Sequence, residues 1–313
     1  MARIPGIDAE LFPLNLGGNS FGWTADEPTT HAILDAFVAA GGNFVDTADG
    51  YSSWVPGNSG GESERMIGTW LASRSNRDEV VIATKVGMYD PHVGLSRSSV
   101  RSGLAASLER LGTDRVDLYY AHRDDPDTPI ADQVRTFDEL VREGRVRAIG
   151  LSNYSGVRLR EWVETARELG ATAPAAVQNR YSLVARAEYE RDAAPVIAEF
   201  GLASLPYTAL ASGYLTGKVR TDADLARSSR EAANRRYHEA GGLEVVQALD
   251  AVAAEYDSEP TTVALAWLVA KGVTAPIASV SRPEQLPALM TAPALALSHA
   301  DVATLDGASA RFA

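Results

Sequence analysis

A chain of 313 residues with 29 Lys and Arg against 41 Asp and Glu has a formal net charge of -12. This balance argues against a general binder of nucleic acid or of anionic membranes, whose phosphates call for a basic face. Cysteine is absent, which removes disulfides, thiolate metal sites and cysteine nucleophiles, while 45% hydrophobic and 22% charged residues are proportions that can fill one large globular core.

Along the chain, the opening segment MARIPGIDAELF lacks the basic start and apolar stretch of a secretory signal. The most apolar helical run, Val263 to Ala270, is too short to span a bilayer. A cytoplasmic protein without membrane or nucleic-acid partners is expected. Short runs rich in Val, Ile, Leu or Tyr then alternate with longer segments at helical spacing. Leu14 to Gly17 precedes a helix over Thr29 to Ala40, and Phe44 to Asp46 precedes Glu62 to Ala72. Val80 to Thr84 precedes a helix opened by Ser96-Arg97-Ser98-Ser99 and closed after Leu111 by Gly112, a polar cap at one end and a left-handed stop at the other. Val116 to Ala121 pairs with Ile130 to Glu143, Val146 to Gly150 with Ser155 to Leu169, and Ala176 to Gln178 with Glu188 to Phe200. Leu202 to Pro206 is followed by the polar, Arg-rich stretch Thr208 to Gly241, an extra helix over Leu243 to Tyr256, and a helix over Pro260 to Lys271. Pro276 to Ser279 and Pro283 to Met290 complete the series.

Eight strand and helix repeats without a composition break predict the α/β class. They predict one (β/α)8 TIM barrel, residues 1-313 as a single domain, with a long loop and an extra helix after strand 7. The competing doubly wound sheet would carry G-x-G-x-x-G after its first strand, where this chain has Gly17-Gly18-Asn19-Ser20-Phe21-Gly22. A dinucleotide would therefore bind another way.

Residues just after the strands of such a barrel share one rim. Asp46 and Tyr51 follow the second strand, Lys85 ends the third and His122 follows the fourth. A phenol is a poor acid at neutral pH, and a nearby ammonium favours its phenolate. Lys85 can supply that charge, Asp46 can hold Lys85 charged, and His122 can hydrogen-bond a carbonyl or pass a proton. Taken singly, each residue is more often a salt bridge or a satisfied rim residue; four together form a proton-transfer device.

At these residues the sequence resembles the aldo-keto reductase family. The resemblance is carried by Gly42-Asn43-Phe44-Val45-Asp46-Thr47-Ala48 with Tyr51, by Gly61-Glu62-Ser63-Glu64, by Thr84-Lys85, and by the stretch from Tyr120-Ala121-His122-Arg123 to Gly150-Leu151-Ser152-Asn153. It extends over nearly the whole chain and implies a tetrad of Asp46, Tyr51, Lys85 and His122. It further implies that Ser152, Asn153 and Gln178 bond a nicotinamide carboxamide and that Tyr207 stacks on the ring. The segment Leu210-Ala211-Ser212-Gly213-Tyr214-Leu215-Thr216-Gly217-Lys218 is similar to the family's pyrophosphate-covering loop, in which small residues admit phosphate and a lysine adds charge. Ser279, Ser281, Arg282 and Gln285 lie around the start of the last helix, where hydroxyls, a guanidinium and a helix N-terminus can share an anion. That suits the 2′-phosphate of NADPH. Four residues beyond Gln285 the family often has an asparagine that contacts adenine; this chain has Leu289.

The expected activity is NADPH-dependent reduction of an aldehyde or ketone by an oxidoreductase that uses Tyr51 as general acid and no metal. Two alternatives share the same rim: a Schiff-base aldolase or lyase using Lys85, and an NADPH-binding redox-sensing subunit. Trp23, Trp54 and the loop Ser52 to Gly60 are expected to line the mouth and to suit a moderately bulky, partly apolar carbonyl compound. The sequence leaves small aldehydes, sugars, quinones, ketosteroids and glycosides open as substrates, and the oligomeric state unset.

Overall fold

The computed structural model describes residues 1–228 and 230–313. The eight apolar runs form parallel strands: β1 (Asn15–Gly17), β2 (Phe44–Asp46), β3 (Val81–Val86), β4 (Val116–Ala121), β5 (Val146–Ser152), β6 (Ala176–Gln178), β7 (Ala203–Ser204) and β8 (Ile277–Ala278). Their order, β7-β6-β5-β4-β3-β2-β1-β8, puts neighbours in sequence side by side. Ile277 N donates to Pro206 O at 2.9 Å and Ala275 N to Ser204 O at 3.2 Å, which brings β8 back to β7. This is the curled, all-parallel sheet of a (β/α)8 fold, as expected.

Alternation along the strands builds two cores. Val45, Ile82, Tyr119, Ile149 and Val177 face outward to the helices. Phe44, Val81, Ala83, Leu118, Tyr120, Ala148, Ala176 and Ala203 fill the interior, small alanines beside large rings suiting the narrow space. The N-terminal segment pairs Ala2 with Leu11 and adds Ile4, Ile7 and Leu11 to that interior cluster, as a plug.

The covering helices are α1 (Glu27–Ala39), α2 (Glu62–Arg74), α3 (Arg97–Leu111), α4 (Ile130–Arg142), α5 (Gly156–Leu169) and α6 (Ala194–Phe200). Asp26 caps α1 by accepting from Thr29 N at 3.0 Å, and Ser96 caps α3 by accepting from Ser99 N at 3.2 Å. Gly112 ends α3 with φ 63°, a left-handed turn that a side chain would disfavour. The segment entering α6 is a π-helical turn over Tyr189–Ala193.

Two regions differ from the sequence expectation. Thr208 to Gly241 is not a bare loop: it holds a 3-10 turn (Ala211–Thr216), then α7 (Asp222–Arg227) and α8 (Glu231–Glu239). Each helix is short and buries few residues, Leu225 in α7 and Asn234 and Tyr237 in α8, so no apolar periodicity announces them. The expected extra helix is α9 (Gly242–Glu255), followed by α10 (Pro260–Ala270). After β8 a 3-10 turn (Pro283–Gln285) leads into α11 (Leu286–Met290), and an unexpected α12 (His299–Ala308) follows. Its start is a capping box, in which Ser298 and Asp301 each accept from the other's backbone N–H.

Candidate active site

The carboxyl ends of the strands open on a cavity of about 1060 Å³. At its base Lys85 is fully buried and all three of its N–H donors are engaged. Nζ donates to Asp46 Oδ2 at 2.5 Å, to the Thr47 carbonyl at 2.7 Å and to the Tyr51 hydroxyl at 2.8 Å. Gln178 Nε2 donates to the other Asp46 oxygen at 2.8 Å, so the carboxylate, 1% exposed, is satisfied on both sides. Desolvation would forbid such charges singly; paired and fully hydrogen-bonded they persist, in one geometry. The pairing of β2 with β3 and of β3 with β4 places Asp46, Lys85 and the start of the His122 loop side by side.

Burial first, and the adjacent Asp46 carboxylate second, push the Tyr51 phenol well above its ordinary value. Tyr51 is thus a held, neutral acid, and the direction is opposite to that expected from Lys85 alone. Burial lowers the Lys85 ammonium while Asp46 opposes the shift. His122 is pushed well below its ordinary value by burial, then by Lys85 and Arg123, and is neutral at pH 7. Its ring lies edge-on to Tyr51, 6.3 Å between centroids. A fifth ionisable group, Asp49, was not read from the sequence. Asp49, 7% exposed, is pushed up to about 7 by burial and then by the carboxylate of Glu64, with Arg110 acting in the other direction.

From this corner the cavity runs past β5 and β6 to β8, and Ser152, Asn153, Gln178, Tyr207, Leu210, Gly213, Lys218, Ser279, Ser281, Arg282 and Gln285 all line it. Ser152 donates to the Gln178 carbonyl at 2.8 Å. Asn153, at φ 58°, donates to the His122 carbonyl at 2.9 Å and accepts from the Tyr207 hydroxyl at 2.7 Å, so the expected carboxamide-binding residues form one hydrogen-bonded strip. Gln285 turns back on its own turn, accepting from Ser281 N at 2.8 Å and Arg282 N at 3.2 Å. Leu289 is buried at 2% in the outer core and is not a lining residue.

At the other rim Trp54, 44% exposed, lines the cavity. Trp23 packs edge-on behind it at 5.8 Å and carries the Arg230 guanidinium 5.0 Å above its ring. Met88, Tyr89, Arg123, Asp224 and Asn234 also line the cavity and were missed in the sequence. For Met88, Tyr89 and Arg123 a signal existed: they directly follow β3 and β4, on the rim where ligands collect.

The family model described as the aldo/keto reductase family matches residues 13–310. Norsolorinic acid reductase of Aspergillus flavus is 30% identical, over 95% of this chain and 77% of its own length. An aryl-alcohol dehydrogenase of Pestalotiopsis microspora is 30% identical over 96% and 80%, and an uncharacterised oxidoreductase, YrpG, of Bacillus subtilis is 35% identical over 87% and 84%.

Proposed function

The chain belongs to the aldo/keto reductase family of oxidoreductases, and from that premise we propose that it reduces an aldehyde or ketone to an alcohol with NADPH, Tyr51 donating the proton. The observation that carries this reading is the shared ammonium. Lys85 bonds Asp46 and the Tyr51 hydroxyl at once, at 2.5 and 2.8 Å, on the floor of a cavity large enough for a dinucleotide and a substrate.

When the carbonyl oxygen gains negative charge, Tyr51 gives it the O–H proton, and the phenolate left behind is stabilised by the Lys85 N–H already directed at it. Asp46 keeps that ammonium charged in a place where burial alone would discharge it. His122, neutral, offers its ring to orient the carbonyl beside Tyr51. NADPH supplies the hydride when bound.

The cavity residues fit that cofactor. Asn19 Oδ1, Thr208 Oγ1 and Asn234 Oδ1 are buried polar atoms with no partner among the described residues, and all three residues line the cavity; a polar ligand answers such a set. Ser152, Asn153, Gln178 and Tyr207 would hold the nicotinamide end. Lys218 and the small residues from Leu210 to Gly213 would hold the pyrophosphate, and Ser279, Ser281 and Arg282 the 2′-phosphate. For substrate, Trp54, Met88 and Tyr89 form an apolar, partly aromatic wall, and the name of one relative, an aryl-alcohol dehydrogenase, points the same way, to an aromatic carbonyl compound. A Schiff base on Lys85 is disfavoured by a nitrogen that is fully buried with every donor in use.

Tyr51→Phe is expected to lower kcat for carbonyl reduction by about 10²- to 10⁴-fold, the usual contribution of a general acid, while NADPH binding followed by fluorescence quenching stays unchanged. Retained turnover would reject the role, and equal kcat/KM with NADH and NADPH would reject the cofactor preference.

A further inference from the structure

Of the four residues at the catalytic corner, His122 is held differently from the rest. Its Nδ1 is buried with no hydrogen-bond partner among the described residues. An imidazole that must present one nitrogen to a ligand is ordinarily oriented by a hydrogen bond at the other. Here the ring is bracketed by two phenol rings instead, Tyr51 at 6.3 Å and 67°, and Tyr89 at 5.7 Å and 61°. Both are edge-to-face arrangements, which aromatic quadrupoles favour.

Tyr89 lies in the loop between β3 and α3, so the strand that carries Lys85 also returns a ring over the site. Half-buried and lining the cavity, it makes a second contact that the sequence has been shaped to allow. A Cβ on Gly50 would overlap the Tyr89 ring itself, so only glycine lets the ring seat against the backbone between Asp49 and Tyr51. One side chain therefore touches both the turn that carries the proton donor and the imidazole beside it.

We propose that Tyr89 is a positioning residue for the reaction: its ring, not its hydroxyl, fixes the His122 imidazole and seats the Gly50–Tyr51 turn. The kinetic part of this rests on the carbonyl reduction proposed above; the structural part does not. The groups facing His122 are the Tyr51 and Tyr89 phenols, the Lys85 ammonium and the Arg123 guanidinium. With the Tyr89 ring gone, water reaches the imidazole and its protonated form becomes accessible.

Two readouts test this. The first is the imidazole titration of His122 by NMR, on protein without substrate or nucleotide, with the signals of the five histidines assigned by difference from His122→Gln. The wild-type and Tyr89→Phe rings titrate below the ordinary histidine value, and Tyr89→Ala titrates closer to it. The second is kinetic: Tyr89→Phe keeps kcat within about twofold, while Tyr89→Ala and Gly50→Ala each lose about tenfold or more through misplacement, at unchanged NADPH affinity. The double variant Gly50→Ala with Tyr89→Gly is no worse than Tyr89→Gly alone, because the collision, which includes the Tyr89 Cβ, is then removed. Tyr89→Leu replaces the alanine variant if that one does not fold. A His122 titration in the ring-deleted variant identical to wild type overturns the proposal, as does a Tyr89→Phe loss as large as that of Tyr89→Ala. If wild type reduces no carbonyl compound, the proposed function fails while the titration still decides the role of Tyr89.

Discussion

The two ends of the cavity are built on different terms. At the end formed by β2, β3 and β4, Asp46 and Lys85 are sealed from water and bonded to each other, to Thr47, Tyr51 and Gln178. At the end formed by β8 and the α7–α8 segment, Lys218 and Arg282 are exposed, Gln285 is spent on its own turn, and Asn234 is left with an unpartnered oxygen. At the first end the Asp46–Lys85 pair is completed by the protein alone; the second end has polar groups left open to a ligand. Chemistry needs preorganised charge, whereas affinity for a phosphate can be assembled from solvated groups.

Mutations at the two ends should therefore fail in different ways. The largest effect is expected from Lys85→Met, which strands the Asp46 carboxylate without its ammonium. Breaking a buried pair in this way costs about 3–5 kcal/mol of stability, measurable by urea unfolding, in addition to the lost turnover. Unchanged stability would show that the corner is less closed than its burial implies.

Asp49→Asn sharpens the same end. The folded protein holds this proton up to about pH 7, against an ordinary value of 3.8. Stability from this group is thus complete below about 3.8 and is lost as pH rises through 7, a total of at most ~4 kcal/mol at 1.36 kcal/mol per unit. The asparagine variant is expected to gain on wild type at pH 8 and much less at pH 5; a gap independent of pH would refute this reading of Asp49.

The smallest effect belongs to the open end. Arg282→Ala is expected to raise KM for NADPH about tenfold, in line with one exposed charge-assisted contact. KM for NADH, kcat and the unfolding midpoint should stay as they are, and the NADPH defect should shrink in high salt. A fall in kcat instead would mean that the two ends are mechanically coupled.

What could be read from the sequence follows the same division. All eight strands were legible because a barrel strand is a short apolar run, and Tyr51 and Lys85 because strand ends converge by topology. Asp49 was not, since only the fold buries its carboxyl and then brings Glu64 close enough to raise its pKa further. Nor was the direction of the shift at Tyr51, because desolvation depends on how deeply Asp46 and the phenol are enclosed. The stretch from Thr208 to Gly241 looked like a loop because α7 and α8 bury so little. α12 was legible in principle, its capping box standing in the sequence as Ser298 and Asp301, but a cap without a strong apolar stripe is easily passed over. Tyr89 was hidden for another reason: its meaning depends on Gly50, and no spacing links a ring to the glycine that admits it.

The plug formed by Ala2 to Leu11 bears on the order in which the molecule is completed. Its apolar side chains share the interior with Ala203, Leu205 and Ala275, which are made long after it. During synthesis these residues must wait, unsatisfied, for the last strands before the inside of the barrel can dry. The interior is therefore closed by a contact between segments far apart in the sequence, the kind of long-range closure that slows folding.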